Sequence, residues 1–222
     1  MQAYLAKLVI NVLAPSMRSP SGITGWITRS IMRKGNPLST EYAINTRLNL
    51  KNDDVFVELG AGEGAGLKAV MQGVQSGGPV PSRIVLVEIS EDFRRSLNKI
   101  VENESKVDNP KIEIHAEDCK SMPYLEDMSV DKMFAMNVVY FLDPLPEYLT
   151  EIHRVLKVGG SVMFCCKFKV LPQDNDVFVN TQESDIVQKM KDAGFDVTSE
   201  PITVSETEPA LNYVEVKGVR TS

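Results

Sequence analysis

The sequence predicts an α/β fold: a doubly wound, mostly parallel sheet with one antiparallel strand, preceded by an N-terminal helical extension. Three observations lead there. Short apolar runs alternate with capped helical segments from Val55 onward. The first run feeds directly into a glycine cluster that opens a helix. The last two runs, Phe195–Thr198 and Tyr213–Val216, have no helix between them and so pair antiparallel.

Each element has its own signal. Gln2–Leu13 reads as a short, strongly apolar helix, and Ala14–Gly22, with two prolines and a glycine, as a turn. Ile23–Met32 fits a second short helix, and Ser39 an N-cap for a third that runs to about Leu48. Val55–Leu59 is a run short enough for a strand buried on both faces. Ile84–Glu88 is the second strand. Ser90 caps the helix after it, with Glu91 and Asp92 complementing the helix dipole. Ile112–His115 and Met133–Met136 follow as strands. Pro144 or Pro146 opens a helix to about Leu156, which Gly159-Gly160 stops before the strand Val162–Cys166. Thr181 caps a last helix, with Glu183 and Asp185 in its first turn and Gly194 at its end.

Composition narrows the function classes. The chain has 222 residues, 43% hydrophobic and 24% charged, which suits a globular domain with a sizeable core. A net charge of −6 argues against a general nucleic-acid-binding surface. Cys119, Cys165 and Cys166 form neither a disulfide framework nor a CxxC metal spacing, so the expectation is a reducing, cytoplasmic compartment and no metal. Cys165 and Cys166 point to opposite faces of a strand, which reads as packing. No apolar run reaches the roughly 20 residues of a membrane-spanning helix.

The chemistry concentrates in VFVELGAGEGAG, Val55–Gly66. Gly60, Gly62 and Gly64 allow a tight turn and a close backbone approach to a ligand at a helix N-terminus. The glycines alone fit a dinucleotide fingerprint as well as other nucleotides. Glu58 shifts the balance. A carboxylate at this strand end repels a pyrophosphate but receives a cation, and S-adenosylmethionine (SAM) carries an ammonium and a sulfonium. Glu88 ends the second strand 28 positions after Gly60, where an acid accepts ribose hydroxyls in SAM and NAD alike. The loop Ser76–Ser82 accounts for the long spacing. Asp118 follows the third strand and can accept from an adenine amino group, with the backbone N–H of Cys119 facing the ring.

VELGAGEG resembles the glycine motif of class I SAM-dependent methyltransferases, and VEIS, with Glu88 and Ile89, is similar to their ribose-binding position. AEDCKSMPYLEDMSVDKMFAMNVVYFL looks like their adenine-site aspartate, loop and fourth strand. EIHRVLKVGGSVMF resembles the helix-turn-strand that many small-molecule members write as RVLKPGG, here with Val158 for the proline. The resemblance covers roughly residues 36–218. It implies a seven-stranded Rossmann-like sheet, SAM as cofactor, and methyl transfer in the manner of the group that includes quinone and lipid methyltransferases (methyltransferase type 11). Its cofactor-binding positions map onto Glu58, Gly60, Ala61, Gly62, Gly64, Glu88, Ile89, Asp118, Cys119 and Asn137. The acceptor expected is a small molecule or lipid-like compound, walled by the N-terminal segment and the Lys167–Asn180 connection. Two rivals stay open: an NAD(P)-dependent oxidoreductase, and a catalytically silent SAM-binding partner subunit.

Methyl transfer from a sulfonium is an in-line displacement that depends on positioning and exclusion of water. Tyr140, after the fourth strand, is the candidate catalytic residue, able to orient an acceptor or line its pocket; core packing is its alternative. His115 and His153 read as structural. Glu88→Ala is expected to weaken SAM binding by roughly 1–3 kcal/mol and leave folding nearly unaffected. The domain expectation is an N-terminal cap over residues 1–38 and a methyltransferase domain over residues 39–222. The first 40 residues hold Lys7, Arg18, Arg29, Arg33 and Lys34 and no acid. A cap closing over the site, a weak membrane-surface contact through residues 1–34, and a mitochondrial targeting segment compete for them. The cap is favoured, because so apolar a helix needs a surface and the site needs water excluded.

Overall fold

The computed structural model describes residues 37–104, 110–171 and 177–222. Seven strands form one sheet: β1 (Val55–Leu59), β2 (Arg83–Val87), β3 (Lys111–His115), β4 (Val130–Met136), β5 (Leu156–Cys166), β6 (Phe195–Ile202) and β7 (Tyr213–Arg220). Their spatial order is β3-β2-β1-β4-β5-β7-β6. β7 runs antiparallel to both its neighbours, and the other pairings are parallel. This is the doubly wound, seven-stranded sheet with one antiparallel strand that the sequence leads one to expect.

Alternation along the strands divides the core in two. Val57, Leu59, Met133, Ala135 and Phe164 face α3 (Leu145–Val155) and α4 (Glu183–Asp192). Phe56, Ile84, Leu86, Phe134 and Met163 face α1 (Ala65–Gln75) and α2 (Glu91–Glu104), together with a lead-in helix. That helix covers residues 37–42 and passes into a π-helical turn, Ala43–Arg47. Arg47 pins it to the far end of the sheet: its Nε donates to Glu215 at 3.1 Å, and its Nη2 pairs with Glu200. Among the described residues no helix is long and apolar enough to cross a membrane.

Three local expectations change. Ser39 lies inside the lead-in helix rather than capping it. It is fully buried, and its hydroxyl donates to the Leu211 carbonyl at 2.7 Å, so a tertiary acceptor has claimed the capping group. α4 has Gln182, not Thr181, at its cap position. α3 ends at Val155, and β5 starts at once with Leu156. No glycine cap is needed there, because Arg220 Nη1 donates to the carbonyls of His153, Arg154 and Leu156. The N–H groups of Met128 and Ser129 take those of Arg154 and Val155. Gly159-Gly160 instead lies within β5, beside a register shift against β4; a Cβ at Gly160 would stand 2.9 Å from the Lys157 carbonyl and 3.0 Å from that of Val130. The helices expected over Gln2–Leu13 and Ile23–Met32, the turn between them and, apart from Pro37 and Leu38, the cap lie outside the described residues.

Candidate functional site

The strand order reverses between β1 and β4, one neighbour leading to β2 and β3, the other to β5. Helices leave on opposite faces there, opening a crevice at the carboxyl ends of the strands. The glycine loop lies in this crevice. Gly60, Gly62 and Gly64 have φ of 65°, 54° and 77°, in the left-handed region where a side chain strains the backbone. The N–H groups of Gly60 and Ala61 both donate to the Val87 carbonyl, at 2.8 and 3.2 Å, folding the loop back onto β2.

Two buried acids shape the loop. Glu88 Oε2 accepts from the Gly62 N–H at 2.8 Å, and Oε1 from the Ser90 N–H at 2.7 Å. Arg94 donates to the Glu88 carbonyl at 2.7 Å. Burial raises the carboxyl above its usual range, and the two N–H groups and Arg94 oppose that. Glu88 is thus a tether as well as a candidate ligand group. A strand-end carboxylate with two backbone amides on it is part of the loop's architecture, which sets this geometry against the expectation that its loss spares the fold.

Glu58 lies under the first turn of α1, where the N–H groups of Gly66 and Leu67 face it. A Cβ on Gly66 would stand 2.2 Å from Glu58 Oε1, so glycine is what lets the carboxyl in. Glu58 Oε2 is buried and has no hydrogen-bond partner. Burial, with a smaller contribution from the Glu88 charge, pushes this carboxyl up to about 8 against the opposing N–H groups.

Two cavities meet at the loop, sharing Gly60, Gly62, Phe93 and Met136. The larger, about 550 Å³, also takes in Glu58, Ala61, Lys68 and Thr40. The smaller, about 90 Å³, is lined by Glu88, Ile89, Asp118, Cys119, Asn137 and Tyr148 among others. Asp118 Oδ2 accepts from the Tyr148 hydroxyl at 3.0 Å and Oδ1 from the Lys120 N–H at 3.1 Å. Asn137 has a left-handed φ of 58° at the end of β4, and its N–H donates to Cys165 at 2.8 Å. Burial and the neighbouring Asp118 push the Cys119 thiol up to about 12, which leaves it an inert wall. The arrangement suits a ligand with a flat, amino-bearing end in the smaller cavity and a cation at the larger.

Of the predicted site residues, Glu58, Gly60, Ala61, Gly62, Glu88, Ile89, Asp118, Cys119 and Asn137 line one cavity or both. Gly64 does not; a Cβ there would meet Ile100 at 2.8 Å and Leu97 at 3.0 Å, so the loop packs closely on α2 at this point. Tyr140 is 2% exposed and lines neither cavity. Its hydroxyl donates to Asn137 Oδ1 at 3.2 Å and accepts from the Lys167 N–H, and its ring packs edge-on against Phe141, Phe168 and Phe178. This is the packing alternative: the phenol joins the ends of β4 and β5. His153 packs on Phe195 and His115 stacks on Tyr124, both away from the cavities. Sequence reasoning missed Phe93 and Tyr148. Phe93 is the third residue of an acid-started helix and carried a weak signal; Tyr148 meets Asp118 across 30 positions and carried none.

A family described as a methyltransferase domain matches residues 57–164, which run from β1 through β5. No curated protein sequence matches the chain. Among solved structures, it resembles a complex between the Haloferax volcanii Trm112 methyltransferase activator and a methyltransferase, at 17% identity and a TM-score of 0.70, over 89% of this chain and 95% of that one. It also resembles the Streptomyces coelicolor geranyl diphosphate C-methyltransferase, at 17% identity and a TM-score of 0.60, covering 82% and 77% of the two chains. A Haemonchus contortus phosphoethanolamine N-methyltransferase is similar at 16% identity and a TM-score of 0.61, over 82% of this chain and 52% of that one.

Proposed function

We propose that the protein, whose residues 57–164 match a family described as a methyltransferase domain, transfers a methyl group from SAM to a small-molecule or lipid-like acceptor. The observation that carries the reading of the site is the pair of cavities joined at Gly60 and Gly62, with a partnerless buried carboxyl oxygen in one and Asp118 in the other. The residues fit the cofactor. Glu58 supplies a counter-charge for a cationic end. Ile89 and Phe93 offer apolar walls for adenine, and Asp118 an acceptor for its amino group. Glu88 uses one lone pair on each oxygen for the loop amides, so its remaining lone pairs can accept from ribose hydroxyls.

When bound, SAM supplies an activated methyl group on a sulfonium. The chain's own contribution is to hold the donor across the glycine loop, to fix Asp118 through Tyr148, and to keep water from the reacting carbon. Pro37, within the proposed cap, lines the larger cavity, which supports residues 1–38 as a cap over it. The small-molecule acceptor class is supported by the two neighbours described in complex with geranyl diphosphate and with phosphomonomethylethanolamine. The Haloferax neighbour, described with a protein activator, favours a second reading in which turnover needs a partner chain.

Calorimetric titration with SAM, S-adenosylhomocysteine and NADH tests the cofactor. Binding of the first two and not the third is expected; NADH binding without SAM affinity would transfer the site to an oxidoreductase. Labelled SAM incubated with a fractionated lysate then tests the acceptor. Label is expected in the small-molecule or lipid fraction, and label confined to protein or nucleic acid would refute the proposed acceptor class. Turnover only on adding back the protein fraction favours the partner-dependent reading.

A further inference from the structure

Two buried carboxyls face the glycine loop, and their surroundings differ. Glu88 has both oxygens on backbone amides. Glu58, 4% exposed, has one oxygen with no partner, and it borders the 550 Å³ cavity. From just past β2 comes Glu88, a like charge; from α1 come the Gly66 and Leu67 N–H groups. Lys68 of α1, Lys99 of α2, Glu41 of the lead-in helix and Glu63 of the loop line the same cavity. No cation is paired with Glu58 among the described residues. A charged, half-bonded carboxylate beside a second acid is costly to bury, so without a cation beside it Glu58 favours the protonated form. Arrival of a cation reverses that preference.

We propose that Glu58 gives up a proton when the cationic part of SAM binds, so that this specificity-determining carboxyl is charged only while the site is filled. The proposal rests on the cofactor reading above. In the step, the O–H bond of the Glu58 carboxyl breaks, its proton passes to a buffer base, and a carboxylate–cation pair remains; no electrons change hands. The free carboxyl titrates at about 8. The ligand prefers the ionised form, so affinity rises with pH through the neutral range, by about tenfold per unit at most, and levels off above that value. By the same linkage, binding near pH 7 releases a proton as SAM binds, and the release falls away as the pH rises above that value. Adenosine shares the adenine and ribose but has no cation, and it releases none.

The experiment is calorimetric titration of the full chain with SAM in buffers of different ionisation enthalpy from pH 6 to pH 9. Adenosine serves as the neutral probe and Glu58→Gln as the variant. Expected are proton release with SAM only, its decline toward pH 9, and a Glu58→Gln affinity that is flat with pH. Infrared difference spectra of the wild-type protein give an independent readout: a protonated-carboxyl band at pH 7 should vanish when SAM is added. SAM binding without proton release, equal release with adenosine, undiminished release in Glu58→Gln, or no loss of the carboxyl band would each overturn the proposal. If SAM fails to bind at every pH, the cofactor reading itself falls, and this proposal with it.

Discussion

Replacing Glu88 by alanine removes the acceptor of two backbone N–H groups at once, Gly62 at 2.8 Å and Ser90 at 2.7 Å. Hydrogen bonds to a charged group contribute about 1.5–3 kcal/mol each, so the pair is worth about 3–6 kcal/mol gross. Burial disfavours the carboxylate at this position, as its raised pKa records, so removing it returns part of that sum. The net expectation is a loss of about 2–4 kcal/mol. For a chain of this length, that lowers the melting temperature by about 4–16 °C. The assay is differential scanning calorimetry of the ligand-free protein at pH 7, with S-adenosylhomocysteine affinity measured alongside. Glu88→Gln keeps an acceptor oxygen and should fall between wild type and alanine. An alanine variant that melts within about 1 °C of wild type would show that the carboxyl does not hold the loop when the site is empty, and the tethering argument would be refuted.

Asp118→Ala should weaken SAM and S-adenosylhomocysteine by the same factor, about 5–30-fold, since both carry the same adenine; a loss confined to SAM would move Asp118 next to the sulfonium. Tyr148→Phe removes the hydroxyl that donates to Asp118 at 3.0 Å and should weaken both ligands about 3–10-fold with little change in melting; unchanged affinities would mean that Asp118 needs no such support. Gly66→Ala places a Cβ 2.2 Å from Glu58 Oε1 and should cost about 1–3 kcal/mol by chemical denaturation, together with SAM affinity; wild-type stability and affinity would show that Glu58 does not need the space that glycine leaves. Tyr140→Phe keeps the aromatic packing but drops the links to Asn137 and Lys167, so it should cost about 1–3 kcal/mol of stability and slow turnover less than tenfold; a hundredfold slower enzyme with wild-type stability would return Tyr140 to the acceptor.

How far the site was legible depended on how local each signal was. Glu58, the glycine loop, Glu88 and Asp118 stand at strand ends beside short apolar runs, and the parallel sheet carries strand ends to one edge. Placing the runs therefore placed the acids. Gly64 and Tyr140 show where that inference stops. Both occupy site-like positions in the chain, yet Gly64 packs on Leu97 and Ile100, and Tyr140 spends its hydroxyl between two strands. Position along a strand-loop junction does not reveal which way a side chain turns when an apolar layer lies beside it.

The sequence by itself determined the strand count near the glycine loop, the parallel order implied by alternating helices, the helix-free antiparallel ending, and the packing role of Cys165 and Cys166, which enter opposite cores. These follow from periodicity and turn chemistry, which act over a few residues. Only the tertiary structure decided that Ser39 bonds to Leu211, that Arg220 rather than a glycine closes α3, and that Glu88 holds Gly62 from 26 positions away. The physical reason is common to all three. A buried polar group must find a partner wherever the fold brings one, and the partner's place in the chain is set by packing, not by spacing.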